Sequence, residues 1–343
     1  MTRAISILRA TPGVSVQDQG RPGYLAQGLS RGGAADLLAL AEGAALLDQP
    51  KNCAALELTG GAVTLTASDD MRLALTGAEM RAILDGAPLV WNASHTLPEG
   101  ALLEITPMRG GFGYLHIGGG LEPPPVMGAR SAHLAASLGQ PVQAGDTIAV
   151  GADRGHRVGL CLPEGQAGNI LRLVASLQTA VFGQDALARL EATSFTKDAR
   201  GNRMGQRLVP DGAGFATASG LSILSETIVP GDVQVTGDGT PYVLLSECQT
   251  TGGYPRIGTV LPCDLHKLLR AGPGNRFRFR LVTLEEGVEA ERSEALRRSA
   301  LARTLQPLQR DPRDIPDLLR YQLVSGVTAG DDLEREAKSC VSI

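Results

Sequence analysis

Residues 4–16 set apolar side chains in short alternation around a Thr-Pro-Gly break, which predicts a hairpin-like start. Residues 34–47 then carry an Ala- and Leu-rich run of helical period. The stretch 54–90 divides into ALELTG, AVTLTA, RLALTG and RAILDG, separated by Gly or Asp turns; this spacing of short strands is that of a sandwich or barrel. LLEITPM and FGYLHIGGG continue the strands, a short helix is expected near 130–138, and AGDTIAV reads as a turn feeding a strand. Residues 151–168 are Gly-rich with few long apolar runs and mark a boundary.

A second cycle follows. ILRLVAS is a strand, 184–191 a short helix, and SFTKDARGNRMGQRL a polar, turn-rich stretch; SILSETI, DVQV, YVLLSE and NRFRFRLV are strands. In the last of these Phe277 and Phe279 alternate with Arg276, Arg278 and Arg280, so one face is expected buried and the other wet. A charged amphipathic helix is expected over 285–305, and from Asp311 on a short helical extension with a frayed end. Each half opens on a polar Asp/Gly/Arg turn and proceeds through strands to a Gly-rich segment with tyrosine, which suggests two related barrel-like units. The expected division is 1–160, 161–285 and a C-terminal helical extension, 286–343.

Composition narrows this picture. The 343 residues hold 43 glycines and 20 prolines with 3% aromatics, a signature of tight turns that argues against a helix bundle. With 32 Lys plus Arg against 36 Asp plus Glu, the net charge of −4 argues against nucleic acid or anionic lipid as a partner. The five cysteines (Cys53, Cys161, Cys248, Cys263, Cys340) are scattered without a C-x-x-C pair, as expected in a reducing compartment. No apolar run approaches the roughly 20 residues that cross a bilayer, and the first residues lack a signal-peptide pattern, so a cytoplasmic location is expected.

The catalytic signals that are missing matter as much. There is no G-x-x-x-x-G-K-[ST] loop, no G-x-G-x-x-G between strand and helix, and no paired histidine spacing, so no metal is assigned. There is no Met-Lys-Met biotin attachment sequence either, and any biotin would be carried by another domain. Gly28-Leu29-Ser30-Arg31-Gly32 fits G-x-S-x-G, but a nucleophile elbow needs a parallel α/β sheet, and a Gly-Ser turn before a helix is the better reading.

Three polar clusters embedded in glycine stand out. Gln17-Asp18-Gln19-Gly20-Arg21-Pro22-Gly23-Tyr24 gathers an amide, a carboxylate, a guanidinium and a phenol. Such a loop surrounds a small polar ligand, or else is an Asp-Arg bridge pinning a turn. Asn202-Arg203-Met204-Gly205-Gln206-Arg207 offers two arginines able to hold carboxylate or phosphate in a fork. Gln249-Thr250-Thr251-Gly252-Gly253-Tyr254 follows an apolar strand and presents amide, hydroxyls and backbone N–H groups, or forms a bulge or hairpin turn. None contains a poised Cys or His, an inventory suited to binding a neutral amide and stabilising an oxyanion with fixed donors.

At these clusters the chain resembles the allophanate hydrolase subunit 2 group, whose members include the C-type subunit of bacterial ATP-dependent 5-oxoprolinase and part of the carboxyltransferase domain of urea carboxylase. GVSVQDQGRPGY, Leu56-Glu57-Leu58, GYLHIGGGLEPPPVMGARSAHL, SFTKDARGNRMGQRL, GLSILSETIVPGDVQVTGDGTPYVLL and QTTGGYPRIGTVLPCDL carry the resemblance, over roughly residues 5–285. It implies a mainly β fold with short helices, two cyclophilin-like β-barrel halves side by side, and an active site shared with a subunit 1-like partner, the B-type component of 5-oxoprolinase. In the oxoprolinase assembly a third, A-type protein joins, and ATP drives opening of a lactam substrate. The implied cleft takes Asn202, Arg203, Gln249 and Thr250 as catalytic residues and Gln17, Asp18, Arg21, Tyr24, Arg207, Thr251, Gly252, Gly253 and Tyr254 as substrate contacts. Where the family usually has Pro-Ser-Gly-Pro-Met-Asp, this chain has Ser30-Arg31-Gly32-Gly33-Ala34-Ala35-Asp36, keeping the Asp in altered surroundings. Three functional readings follow: a 5-oxoprolinase component, a biotin-dependent carboxyltransferase component acting on urea or a related amide, and a regulatory protein antagonising a kinase inhibitor.

Overall fold

The computed structural model describes residues 3–163, 165, 168–215 and 223–309. The first half builds two antiparallel sheets. One has six strands in the order Thr147–Ala149, Ala4–Ala10, Val63–Ala67, Leu103–Pro107, Met80–Leu84, Ala87–Leu89. The other has five, Val14–Gln17, Ala55–Thr59, Phe112–Ile117, Met71–Gly77, Ser94–Leu97. Alternate residues of both sheets, among them Ile5, Leu56, Leu65, Leu73, Leu103 and Leu115, share one apolar core.

The second half is a closed seven-stranded barrel running Ile170–Val174, Arg256–Val260, Asp232–Val235, Pro241–Leu244, Gly205–Pro210, Phe195–Lys197 and Arg276–Leu281. Parallel pairing of the first and last of these, from Ile170 opposite Arg278 to Leu173 opposite Leu281, closes it and removes both sheet edges. Phe277 and Phe279 point into the barrel with Phe195, and Arg276, Arg278 and Arg280 are exposed, as the alternation predicts. The mainly β architecture with short helices holds, with the first half divided into two sheets where the second closes into a ring.

The five-stranded sheet is buried on both faces. Its residues outside the core include Ser15, Gln17, Glu57, Arg72, Thr76 and His116, all buried. Such side chains usually face water, but here helix α1 (Leu37–Leu47) packs across that face and elements of the second half pack beside it. Asp36 caps α1 by accepting from Leu38 N and Ala39 N, each at 3.0 Å. The helix therefore begins three residues after the expected start, because Ala35 N is held by Glu57 Oε2 at 2.9 Å instead of joining a helical turn.

Helices α2 (Gln184–Ala192) and α4 (Leu284–Thr304) lie within a residue of their expected bounds, and a short α3 (Leu265–Arg270) comes between them in the chain. A Thr283–Glu286 capping box starts α4, whose Leu301 packs against Leu38 and Ala41 of α1. The chain thus returns to its first half through the pairing of Leu160–Cys161 with Gln306–Pro307. Three local expectations change. The helix expected near 130–138 is a single 3-10 turn, Leu134–Ala136, because Ala132 N is drawn to Val16 O and His133 pairs with Leu138. In SILSETI the described strand is Glu226–Thr227, and Ser222 lies outside the described residues. YVLLSE leaves the barrel at Leu244, and Leu245 to Cys248 form a turn. Residues from Asp311 on also lie outside the described residues. Among those described, no helix is long and apolar enough to cross a membrane.

A glycine in mid-helix is explained by the same packing. Gly43 of α1 lies on the imidazole of His116, and a Cβ there would overlap three ring atoms. On helix propensity alone Gly43→Ala would stabilise by about 1 kcal/mol. With no room for the methyl, the expected result is a loss of about 1–3 kcal/mol in urea unfolding; a stabilised variant would show that this contact does not limit the helix.

Candidate functional site

The first polar cluster is held by a backbone crossing. Arg21 N donates to Arg31 O (2.8 Å) and Ala34 N to Asp18 O (2.9 Å), so residues 18–21 and 31–34 run side by side. Gly20 and Gly33 sit at the crossing with positive φ, and a Cβ on either would strike the other segment's backbone. Asp18 accepts from Gly20 N (2.8 Å) and Arg130 N (2.6 Å), tying this loop to the 130–133 segment. Gln17 Nε2 donates to Ser15 Oγ (2.9 Å) and Ala132 O (3.1 Å), and Arg21 Nη2 donates to Ser131 O. In the expected ligand loop Gln17, Asp18 and Arg21 are therefore buried, while Pro22 and Gly23 are exposed and Tyr24 is half-buried beside the 3-10 turn Leu25–Gln27 at its outer end.

Arg203 joins the two halves. Its Nε donates to Glu247 Oε1 (2.7 Å), Nη1 to Glu57 Oε1, and Nη2 to Gly33 O (2.5 Å) and Ser246 Oγ (3.3 Å). Glu57 Oε2 accepts in turn from Tyr114 Oη (2.6 Å), whose oxygen receives Asp36 N (2.9 Å). Glu247 Oε2 accepts Ala135 N at 3.1 Å. Burial alone would weaken the charge on Arg203, but the Glu57 and Glu247 carboxylates outweigh it and raise its pKa. Burial opposes ionisation of Glu247, and Arg203 reverses this and holds its pKa down. Burial and the charge of Glu57 push Tyr114 well above its usual value, so it stays protonated as a donor.

A parallel network lies behind this one. Arg270 donates to Asp36 Oδ2 (2.6 Å) and to both oxygens of Glu42 (3.1 and 2.8 Å), fixing α3 to the cap of α1. With the apolar contact of Leu245 and Leu269 against Ala39, Leu40, Phe112 and Tyr114, these two networks orient the halves.

The other expected residues are placed differently. Asn202 folds its side chain onto Met204 N (2.8 Å) and Gly205 N (3.4 Å), an exposed turn-forming role. Arg207 is paired with Asp198 (2.8 Å), Asp238 (3.0 Å) and Thr240 (3.1 Å) on the barrel wall. Gln249 is exposed, Thr250 O accepts Ile228 N at 3.0 Å, and Thr251–Gly252 pair with Glu226–Thr227 in a small ribbon that continues through Gly253 to an exposed Tyr254. Among the described residues, no side-chain hydrogen bond links Gln249–Tyr254 to Gln17, Asp18 or Arg21. The structure therefore brings the first cluster and Arg203 to one place and carries the third along the barrel rim.

Several residues at this centre were not singled out from the sequence. Glu57 gave a faint sign, a carboxylate between two leucines of a strand, and Ser246 and Glu247 closed a segment read as strand. His133 Nε2 lies 2.9 Å from Ser30 Oγ, the serine of the G-x-S-x-G match. Its Nδ1 accepts Ala136 N at 3.3 Å, so the neutral ring carries its proton on Nε2 and donates to the serine. Burial, opposed by Glu247, lowers the His133 pKa and keeps the ring neutral. A ring in this tautomer does not take the serine proton, which agrees with the turn reading of this segment. Among the described residues no group of three His, Cys, Asp or Glu is placed to hold a metal.

The chain is 31% identical over 293 residues to the C subunit of 5-oxoprolinase from Haemophilus influenzae, covering 84% of this chain and 94% of that one. To the C subunit of the Escherichia coli 5-oxoprolinase it is 32% identical over 303 residues, covering 84% and 95%. The solved structure of TTHA0988 superposes with a TM-score of 0.72 at 31% identity over 81% of this chain, which corresponds to 56% of that longer chain. Kluyveromyces lactis urea carboxylase superposes with a TM-score of 0.74 at 19% identity, over 90% of this chain and 31% of that one, a likeness of fold. The family described as carboxyltransferase domain, subdomain A and B, matches residues 27–281. On that match and on the two nearly full-length relatives, this chain belongs to the carboxyltransferase domain A and B family.

Proposed function

We propose that this chain is the C-type component of an ATP-dependent 5-oxoprolinase, opening the lactam of 5-oxoproline to L-glutamate together with a subunit 1-like partner of the B type and a third protein of the A type. The observation that carries this reading is the match along nearly the whole length of two proteins named as the C subunit of 5-oxoprolinase. The site agrees with it in kind, since it offers fixed donors and no primed nucleophile. In this reading water adds to the lactam carbonyl, the C–N bond breaks, and the ring nitrogen takes a proton to become the amino group of glutamate. Gln17, Asp18 and Arg21 with their neighbours shape the substrate end of the cleft, while the exposed Gln249–Tyr254 ribbon is free to meet a partner. Arg203 acts by holding the halves in register.

ATP does not fit the residues of this centre. The guanidinium groups of Arg203, Arg207 and Arg270 are engaged by carboxylates, that of Arg21 is sealed from solvent against the carbonyls of Val126 and Ser131, and the sequence has no phosphate-binding loop. We therefore assign the nucleotide to a partner, and the chain alone is expected to be inactive. The urea carboxylase reading has a likeness of fold at 19% identity in its favour, which carries the architecture and not the substrate. A cytoplasmic location is part of the proposal.

The test is co-expression with the subunit 1-like and A-type proteins and an assay of glutamate release from 5-oxoproline, with and without ATP. Turnover that needs all three chains and ATP is the expected result. No turnover by the full set, under conditions where an authentic oxoprolinase works, would remove the proposal.

A further inference from the structure

Helix α4 is fastened near each end and bare along one side. Near its start Gly287 lies on the barrel, where a Cβ would come within 2.9 Å of a Val174 methyl and 3.1 Å of a Leu261 methyl; near its end Leu301 packs on α1. Beside the first contact runs a groove of about 510 Å³, lined by Val174 and Leu261 from the barrel and by Leu284, Val288 and Ala295 from α4. Leu284 is 67% and Val288 40% exposed. Positions 284, 288 and 295 fall on one stripe of a 3.6-residue period, the side a helix normally turns to a core. Among the described residues nothing covers it.

Residues 310–343 lie outside the described residues, and their sequence contains a complementary stripe. Ile315, Leu318, Leu319 and Leu323 recur at i, i+3, i+4 and i+8, a helical period. Asp314 stands at the capping position with Pro316 in the first turn, and Gly326 follows as a stop. The helix predicted over 315–325 is short, and isolated helices under about 12–15 residues are marginal in water, so its stability has to come from an apolar surface. Both α4 and this segment come after residue 281, where the family match stops.

Length and tethering favour the chain's own segment as the occupant. Residues 310–314 span up to about 18 Å when extended, and the predicted helix adds about 16 Å. From Thr304 back to Ala295 is about 14 Å along α4, and five residues separate Thr304 from Gln309, so the segment is long enough to turn back toward the groove. A tether this short gives an effective concentration in the millimolar range, ahead of a second copy at ordinary protein concentrations. The hollow where the described chain ends, beside Ser94, His95 and Thr96, suits an apolar stripe less well because hydroxyls and an imidazole line it.

We propose that residues 315–325 form a helix that docks antiparallel to α4, with Ile315, Leu319 and Leu323 over the groove. The exposed side of α4 is then an internal docking surface, filled by the C-terminal part of the same chain.

The test uses the full chain carrying Val288→Cys and follows how fast a maleimide labels position 288, mapped by peptide mass spectrometry. Adding Leu319→Asp, which puts a charge into the contact, is expected to speed labelling about tenfold, the size of effect that undocking one leucine gives. Leu319→Met keeps the slow rate, and Arg320→Ser, on the far face of the predicted helix, leaves it within about twofold. With Val288→Cys and Leu323→Cys together, a short bismaleimide should join the two positions within one chain, at a rate independent of protein concentration. Thermal unfolding of each variant checks that it is folded. Labelling that Leu319→Asp does not change, a link between two chains that grows with concentration, or coupling of position 323 to Thr96→Cys in preference to Val288→Cys would each overturn the proposal. So would protection of position 288 that arises only in the assembled complex, which would give the groove to a partner.

Discussion

Arg203→Met is expected to destabilise the protein by about 3–5 kcal/mol, because it leaves two buried carboxylates without their cation. Glu57 is 0% and Glu247 4% exposed, so water cannot replace the guanidinium. The loss is a large share of the roughly 5–15 kcal/mol by which folded domains are stable. Size and charge are separated by companion variants. Arg203→Met combined with Glu57→Gln and Glu247→Gln removes the uncompensated charges and should recover part of the loss, although two changes have been added. Arg203→Lys keeps the charge but cannot reach Glu57, Glu247 and Gly33 O together, and should fall between parent and Met. Urea unfolding of the four proteins checks this; an Arg203→Met midpoint equal to the parent's would mean that the ion-paired link does not hold the halves.

Acidification below neutrality is expected to weaken the fold through His116. This ring is sealed between α1 and the five-stranded sheet, with Nε2 2.8 Å from Thr76 Oγ1, which itself donates to Ala39 O at 3.0 Å. Burial pushes its pKa down to about 3. The unfolded chain binds a proton near pH 6.5 while the folded one refuses it, so this stability is complete above about 6.5 and is lost as the pH falls. One proton changes stability by about 1.4 kcal/mol per pH unit, so the full span is on the order of 5 kcal/mol. Between about pH 5 and 6.5 most carboxylates stay ionised, and the histidines weaken the fold on acidification there, while Glu42, whose pKa burial raises, works in the opposite direction. His95, His133 and His266, also lowered by burial, add in the same direction as His116. His116→Gln should flatten the dependence of unfolding free energy on pH over this window. A variant that follows the parent's slope would assign it to another group.

Period-two alternation placed the leucines of Ala55–Thr59 and Phe277 and Phe279 of the last barrel strand, and the 3.6 period placed α1, α2 and α4 within a few residues. These patterns are legible because each strand or helix meets the same contrast of core and water whatever its distant neighbours are. The polar clusters were legible for a similar local reason, since glycine and polar side chains mark where the backbone turns. The role of Glu57 was not: its alternation matches a strand with one wet face, and the packing of α1 and of the second half onto that face makes it interior. The partners of Arg203 are likewise set by topology, Glu57 lying 146 residues away and Glu247 in a turn at the end of a strand. Ser131 and His133 belong to a segment whose helical look yielded to hydrogen bonds with Val16 and Leu138. Local composition thus decided the strands, the turns and the list of available polar groups. Which of those groups meet, and which are closed off by a salt bridge, followed from how the sheet face, α1 and the barrel pack, since burial and pairing depend on distances that no local pattern encodes.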